Sequence, residues 1–224
     1  MIYYKATALD GRSFMAAPSG HRARYTVGRT TSIPYRRRVK KPLICSSDVL
    51  HASETPSETL IGGGYFPCRL FEVSGEPVCS SNYHRKHGFV ALRVEREIES
   101  WRALGPNGRE VHTLLERVAT LSAASVVDRP SGRDDVLDAA WSSTHECAIA
   151  HARSGAIYGA GRAAQAVLPS SSHGPYWAAA IYFATGAVVM RDLIPPESFA
   201  LLYAPLEPHI PADSLGAWET LHHE

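Results

Sequence analysis

The residues of this 224-residue chain that invite chemistry first are its glycines, histidines and cysteines, and each pattern meets a spacing test. Gly159-Ala-Gly-Arg-Ala-Ala164 matches, letter by letter, the turn that cradles a dinucleotide pyrophosphate. That turn works only after a strand, before a helix, and with an acid about 20 residues later to hold a ribose. Here the preceding residues read as helix, and no Asp or Glu stands between Glu146 and Asp192. The glycines are therefore assigned to close helix packing. His145-Glu146 and His151 hint at a zinc protease, but such a site needs its two histidines four apart on one helical face. Six apart, they fall on different faces. His112 and Glu116 have the right spacing and no third ligand, so they read as an exposed helix pair. Cys45, Cys68, Cys79 and Cys147 form no Cys-x-x-Cys and no zinc spacing, so no metal site is expected and reduced thiols are. Gly-x-Ser-x-Gly, the phosphate-loop Gly-x-x-x-x-Gly-Lys and Ser-x-x-Lys do not occur.

Charge is close to balanced overall, at +1, and unevenly placed. Between Gly11 and Ser47 there is no acid, while the 22–41 segment carries a run of cations that includes Arg36, Arg37, Arg38, Lys40 and Lys41. Such a block suits nucleic acid, polyphosphate or an acidic protein partner, although a single short cluster is more often a solvated loop. The first residues lack the basic and apolar regions of a signal peptide, which leads to the expectation of a cytoplasmic protein. The longest apolar run, residues 176–190, is short of the roughly 20 residues of a membrane span and rich in Ala, so a buried helix is expected there and no membrane association.

The elements that must position these groups fall into two regions. Strands are expected at 2–8, 23–28, 68–75 and 88–98, with shorter candidates at 42–47 and 49–53. Thr55-Pro-Ser-Glu58 reads as a capping box with Pro at the first helical position, opening a two-turn helix that Gly62-Gly-Gly64 ends. Beyond residue 98 helical patterns take over, at 107–125, 154–168, 175–193, 194–206 and 212–223. Between them, Leu137, Ala140, Trp141, Thr144 and Ala148 mark one face of another helix. Strands first and helices later predict an α+β fold: a β-rich front domain over residues 1–98 and an Ala-rich helical domain over 99–224.

Tyr4-Lys-Ala6, Tyr25-x-x-Gly28, the segment from Cys45 to His51-Ala52, and Glu72-Val73 resemble the front domain of small proteins of unassigned function encoded by phages of actinobacteria and by their hosts. The tail from Val188 to Leu206 resembles the same group. The resemblance implies a phage-type accessory protein that acts by binding, for which the charge pattern offers the basic 22–41 segment as contact surface for nucleic acid or an acidic partner, or else a virion or assembly component.

The order of elements in the front region is also similar to ADP-ribosyltransferase-like folds. That similarity implies a split sheet opening into a cleft for NAD, with an Arg or His on the first strand, a small hydroxyl or aromatic residue on the second, and an acid on a later one. His51 and Ser53 match the second position, and Glu72, Glu95 or Glu97 would supply the acid that stabilises charge at the ribose. Tyr4-Lys5 stands where Arg or His is expected. The catalytic candidates of this alternative are His51, Ser53 and Glu72, and its cofactor is NAD; the binding reading needs no cofactor.

Overall fold

The computed structural model describes residues 1–15, 22–34, 42–44, 46–81, 85–120, 135–167 and 175–215. Seven strands form one antiparallel sheet: β1 (Ile2–Thr7), β2 (Thr30–Ser32), β3 (Leu50–Ser53), β4 (Arg69–Ser74), β5 (Pro77–Ser81), β6 (Lys86–Phe89) and β7 (Ala91–Ile98). Their order across the sheet is β2-β7-β4-β1-β3-β6-β5. Helices follow: α1 (Gly108–Val118), α2 (Asp135–Ala150), α3 (Ser154–Val167), α4 (Pro175–Met190) and α5 (Pro196–Tyr203). The chain is thus an N-terminal β-sheet domain followed by a C-terminal α-helical domain.

Strand alternation gives the sheet two apolar faces. Ala6 and Leu70, register partners on β1 and β4, face the helices and join a core with Leu60, Phe66, Leu104, Ile157 and Val188. Tyr3, Phe71, Val73 and Val94 face the other way and are covered by Tyr25 and Ile33. Apolar on every side, α4 packs at the centre of the helical layer, with Ala184, Ala187, Val188, Val189 and Met190 fully buried.

The Gly159–Ala164 motif lies inside α3, as helix-packing glycines would. A Cβ on Gly159 would stand 2.1 Å from the Leu60 side chain, and one on Gly161 would stand 2.0 Å from the Tyr182 ring. Contacts that short force neighbours to move. Gly161→Ala is therefore expected to destabilise the protein by about 1–3 kcal/mol, as overpacking does, although alanine is the better helix former. Chemical denaturation of the variant measures this; an unchanged or raised midpoint would show that the ring yields freely.

Several sequence expectations need correction. Residues 23–28 are not a strand: Arg24 makes an isolated bridge to Arg12, and the strand proper is β2 at 30–32. Tyr25 explains the misreading, since its ring is buried while its backbone pairs with the turn at Gly11. The described residues of 42–47 form no strand. The expected 88–98 strand is the end of β6, a break at Val90 and all of β7, with no helical turn near Glu95. The expected two-turn helix is one 3-10 turn, Pro56–Glu58, and Thr55 makes no side-chain cap. The last expected helix, 212–223, begins as a 3-10 turn at Ala212–Leu215, and residues 216–224 lie outside the described residues.

Candidate functional site

The sheet is two ladders joined at a seam. β1 pairs with β4 over six register positions, from Ile2↔Ser74 to Thr7↔Arg69, and β3 pairs with β6 over four. Across the seam, β1 and β3 share the register pair Tyr4↔Ser53. Beyond it the strands part, and a cleft of about 660 Å³ opens between Lys5-Ala6 on β1 and Leu50-His51 on β3. Its volume lies in the ordinary range for small-ligand sites. One wall is Tyr25 and the 30–34 segment; the other is the Gly62–Gly64 turn with Lys86.

Alternation places Lys5 on the Tyr3 face of the sheet and His51 with Ser53 on the opposite face. At the seam the two faces communicate, so Lys5, His51 and Lys86 act on one another electrostatically. Burial, and then the neighbouring Lys86 charge, pulls the Lys5 ammonium down to about 7, and its Nζ lies 5.3 Å from the centre of the Tyr25 ring. Burial lowers the His51 imidazole to about 3, with Lys5 and Lys86 adding to the effect, so it is neutral at physiological pH. Burial likewise pushes the Tyr25 phenol upward, opposed by the Ser13 side chain. The Lys86 amine reaches to 3.4 Å from the point where a Cβ would stand at Gly62, whose positive φ of 78° suits glycine.

Among the described residues that line the cleft there is no Asp or Glu; the charged ones are Lys5, Arg24 and Lys86. Hydroxyls are abundant, including Tyr4, Ser13, Thr31, Ser53 and Thr59. A concave site with ammonium groups, hydroxyl donors and no carboxylate is suited to an anion.

The structure brings His51 and Ser53 into this cleft together, and keeps all three glutamates out of its lining. Glu72 sits across from Tyr4 on β4, where both its oxygens accept from Arg96, at 2.6 and 2.7 Å, and those bonds hold its carboxyl below the usual range. Glu97 is held in the same way by Arg69, and Glu95 accepts from Ser74 and Arg93. Lys5, which stands in the place of the expected Arg or His, lines the cleft from the first strand together with Tyr4 and Ala6. It pairs in register with Phe71, and Glu72 is paired with Arg96.

Arg36, Arg37, Arg38, Lys40 and Lys41 lie outside the described residues. Of the same basic region, Arg24 lines the cleft, while Arg22 donates to the Ser13 carbonyl at 2.5 Å and lies 4.0 Å from Asp10.

Away from the cleft, Ser80, His87 and Glu54 form a chain the sequence reading missed. The Ser80 hydroxyl is 2.7 Å from His87 Nδ1, and His87 Nε2 is 2.8 Å from Glu54. Ser80 and His87 are register partners on β5 and β6, so the chain follows from strand pairing, which no local motif announces. Its exposed hydroxyl and carboxylate mark it as a cross-strand tie between β5, β6 and the end of β3.

Other candidates are structural. His112 and Glu116 are an exposed pair at 3.8 Å, as their helical spacing predicts. Cys68 and Cys147 are free thiols, and burial pushes Cys68 up to about 12, which leaves it unreactive. Among the described residues, no group of three His, Cys, Asp or Glu side chains is placed to hold a metal, and no helix is long and apolar enough to cross a membrane. Compared with family models, curated proteins and solved structures, the chain matches none.

Proposed function

We propose that this protein binds an anionic small molecule, one carrying a phosphate or pyrophosphate group, in the cleft at the sheet seam. The observation that carries the reading is the convergence of Lys5, His51 and Lys86 on a concavity whose described lining has no carboxylate. Burial, and then the nearby Lys86 charge, make the Lys5 ammonium costly to hold, and Lys5 stands partly inside the fold. A ligand with two or more negative charges relieves that cost. The Lys86 amine beside the Gly62–Gly64 turn is the natural seat for the phosphate, and Tyr4, Phe14 and Tyr25 offer aromatic faces for the rest of the molecule.

NAD and other nucleotides belong to this ligand class. Transfer of ADP-ribose calls for a carboxylate aimed at the ribose, and the described cleft offers His51, Ser53 and cations instead. The reading is therefore binding, in keeping with the accessory role implied by the resemblance to phage-encoded proteins.

Calorimetric titration with inorganic pyrophosphate, ADP and NAD tests it. Binding is expected to weaken in Lys86→Met by about 10- to 100-fold, the usual worth of one charge-assisted hydrogen bond. It should also weaken as pH rises through 7, because Lys5 then gives up its proton. No binding of any of the three, or binding indifferent to Lys86→Met, would defeat the proposal. Preference for a long single-stranded RNA, with a steep salt dependence, would move the function to the basic 22–41 segment.

A further inference from the structure

Resting on the anion-binding reading, a second property follows from where Lys5 stands. Lys5 lines the cleft at the seam, its Nζ 5.3 Å from the centre of the Tyr25 ring, and the neutral His51 imidazole lines the same cleft. Among the described lining residues no carboxylate stabilises Lys5 as an ammonium. Lys86, on the opposite wall by Gly62, supplies a cation that holds an anionic group apart from the Lys5 amine.

We propose that Lys5 is a nucleophilic lysine that forms an imine with a phosphorylated aldehyde or ketone seated by Lys86. The Lys5 nitrogen lone pair attacks the carbonyl carbon, a C–N bond forms, and the carbonyl oxygen takes up a proton to give a carbinolamine. Loss of that oxygen as water, which carries away both hydrogens of the amine, leaves the C=N bond. No oxidant or reductant is consumed. Depression of Lys5 to about 7 means that roughly half of it is free amine at neutral pH, whereas a lysine at 10.5 is almost wholly ammonium. The charged and titratable groups around it in the cleft are Lys86, whose charge acts on it, with His51, Tyr25 and Arg24 in the same lining.

The chain has four lysines, Lys5, Lys40, Lys41 and Lys86, so the test is well defined. The intact protein is incubated with pyridoxal 5′-phosphate as probe, reduced with borohydride and mapped by peptide mass. The expected result is one reduced adduct on Lys5, formed at pH 7 on the order of 100-fold faster than on the other lysines. Inorganic pyrophosphate should suppress it, and Lys5→Arg, which keeps a charge but cannot form the imine, should abolish it. The wild-type rate should rise with pH around 7, a readout that needs no variant to fold. Adducts spread over Lys40, Lys41 and Lys86, or persistence at equal rate in Lys5→Arg, would overturn the proposal. Pyrophosphate binding by calorimetry separates the two readings: binding without a Lys5 adduct overturns this inference alone, and absence of both overturns the anion site as well.

Discussion

Replacing Lys5 with Met is expected to make the protein more stable while weakening its affinity for anions. Lys5 titrates near 7 in the folded protein against an ordinary 10.5. Below pH 7 both the folded and unfolded chains hold its proton, and the penalty for confining the ammonium is fully present. Between 7 and 10.5 the unfolded chain holds a proton the folded one has lost, so stability rises with pH; above 10.5 the penalty is gone. Met fills a similar volume without charge, so the gain should be largest at pH 6, on the order of 2–4 kcal/mol once water reaching the partly buried side chain is allowed for. For a chain of this size that is a rise of about 4–16 °C in Tm. At pH 11 wild type and variant should converge. Denaturant titrations across this range measure the difference, and a Lys5→Met protein less stable than wild type at pH 6 would show that the lysine has a stabilising partner. Stability given up at a group that serves a ligand is the familiar signature of a functional site.

His51 adds a second slope to the wild-type curve. Its folded value near 3 lies below the ordinary 6.5, so the stability it contributes is complete above 6.5 and is lost as pH falls toward 3. The same titrations should show stability falling through that window in wild type and less steeply in His51→Gln. Parallel curves would mean that other groups govern the acid limb.

Loss of the Glu58 carboxylate is expected to be among the most damaging single changes on the described surface between the two domains. Glu58 is 1% exposed, and its oxygens accept from the Ser154 hydroxyl at 3.2 and 3.4 Å and from the Gly155 backbone N–H at 3.2 Å. It is an anion from the β-domain seated on the first turn of α3, where unpaired N–H groups and the helix dipole favour negative charge. The fit is close, because a Cβ on Gly155 would stand 2.5 Å from the Ser57 carbonyl. Glu58→Ala strands a buried hydroxyl and a backbone N–H and leaves a cavity, which together should cost about 3–5 kcal/mol. Glu58→Gln keeps an acceptor and should lose about half as much. If Glu58→Ala unfolds at the wild-type denaturant concentration, the contact is not a cap of α3. Behind it, Arg153 donates to Asp192 at 2.7 Å and to the Val189 carbonyl at 3.2 Å, tying α3 to the end of α4. Burial alone would raise the Asp192 carboxyl, and the bonds from Arg153 and Asn107 bring it below its ordinary value.

Much of the fold was legible in the sequence wherever a local rule decides the outcome. The α4 helix follows from an apolar run without charge, and β1, β3 and β4 from β-prone residues bounded by turns, because those preferences depend on near neighbours. Rejection of the Gly159–Ala164 motif rested on the helical residues before it, and the Leu60 and Tyr182 contacts supply the packing reason. Local rules failed where a distant partner offered more. Thr55-Pro-Ser-Glu58 carries every letter of a capping box, yet Glu58 turns away from Thr55 to the start of α3, 96 residues along the chain, where a buried carboxylate meets two donors instead of one. Tyr25 has a strand's residue type but buries its ring over the sheet while its backbone serves a turn.

For the candidate site, alternation along a strand by itself determined that His51 and Ser53 share one face, whereas the β1–β4 register decided that Lys5 stands beside Phe71 on the other. Which acid would join them was not in the sequence, since Glu72, Glu95 and Glu97 were each claimed by an arginine or a serine across a strand. That Lys5 would meet His51 at all was decided by the tertiary structure. Two ladders touch at Tyr4↔Ser53 and part beyond it, and through that gap a lysine from one face and a histidine from the other come into one electric field. Strand pairing sets that gap through hydrogen bonds between segments nearly fifty residues apart, and no pattern within either segment encodes where they separate.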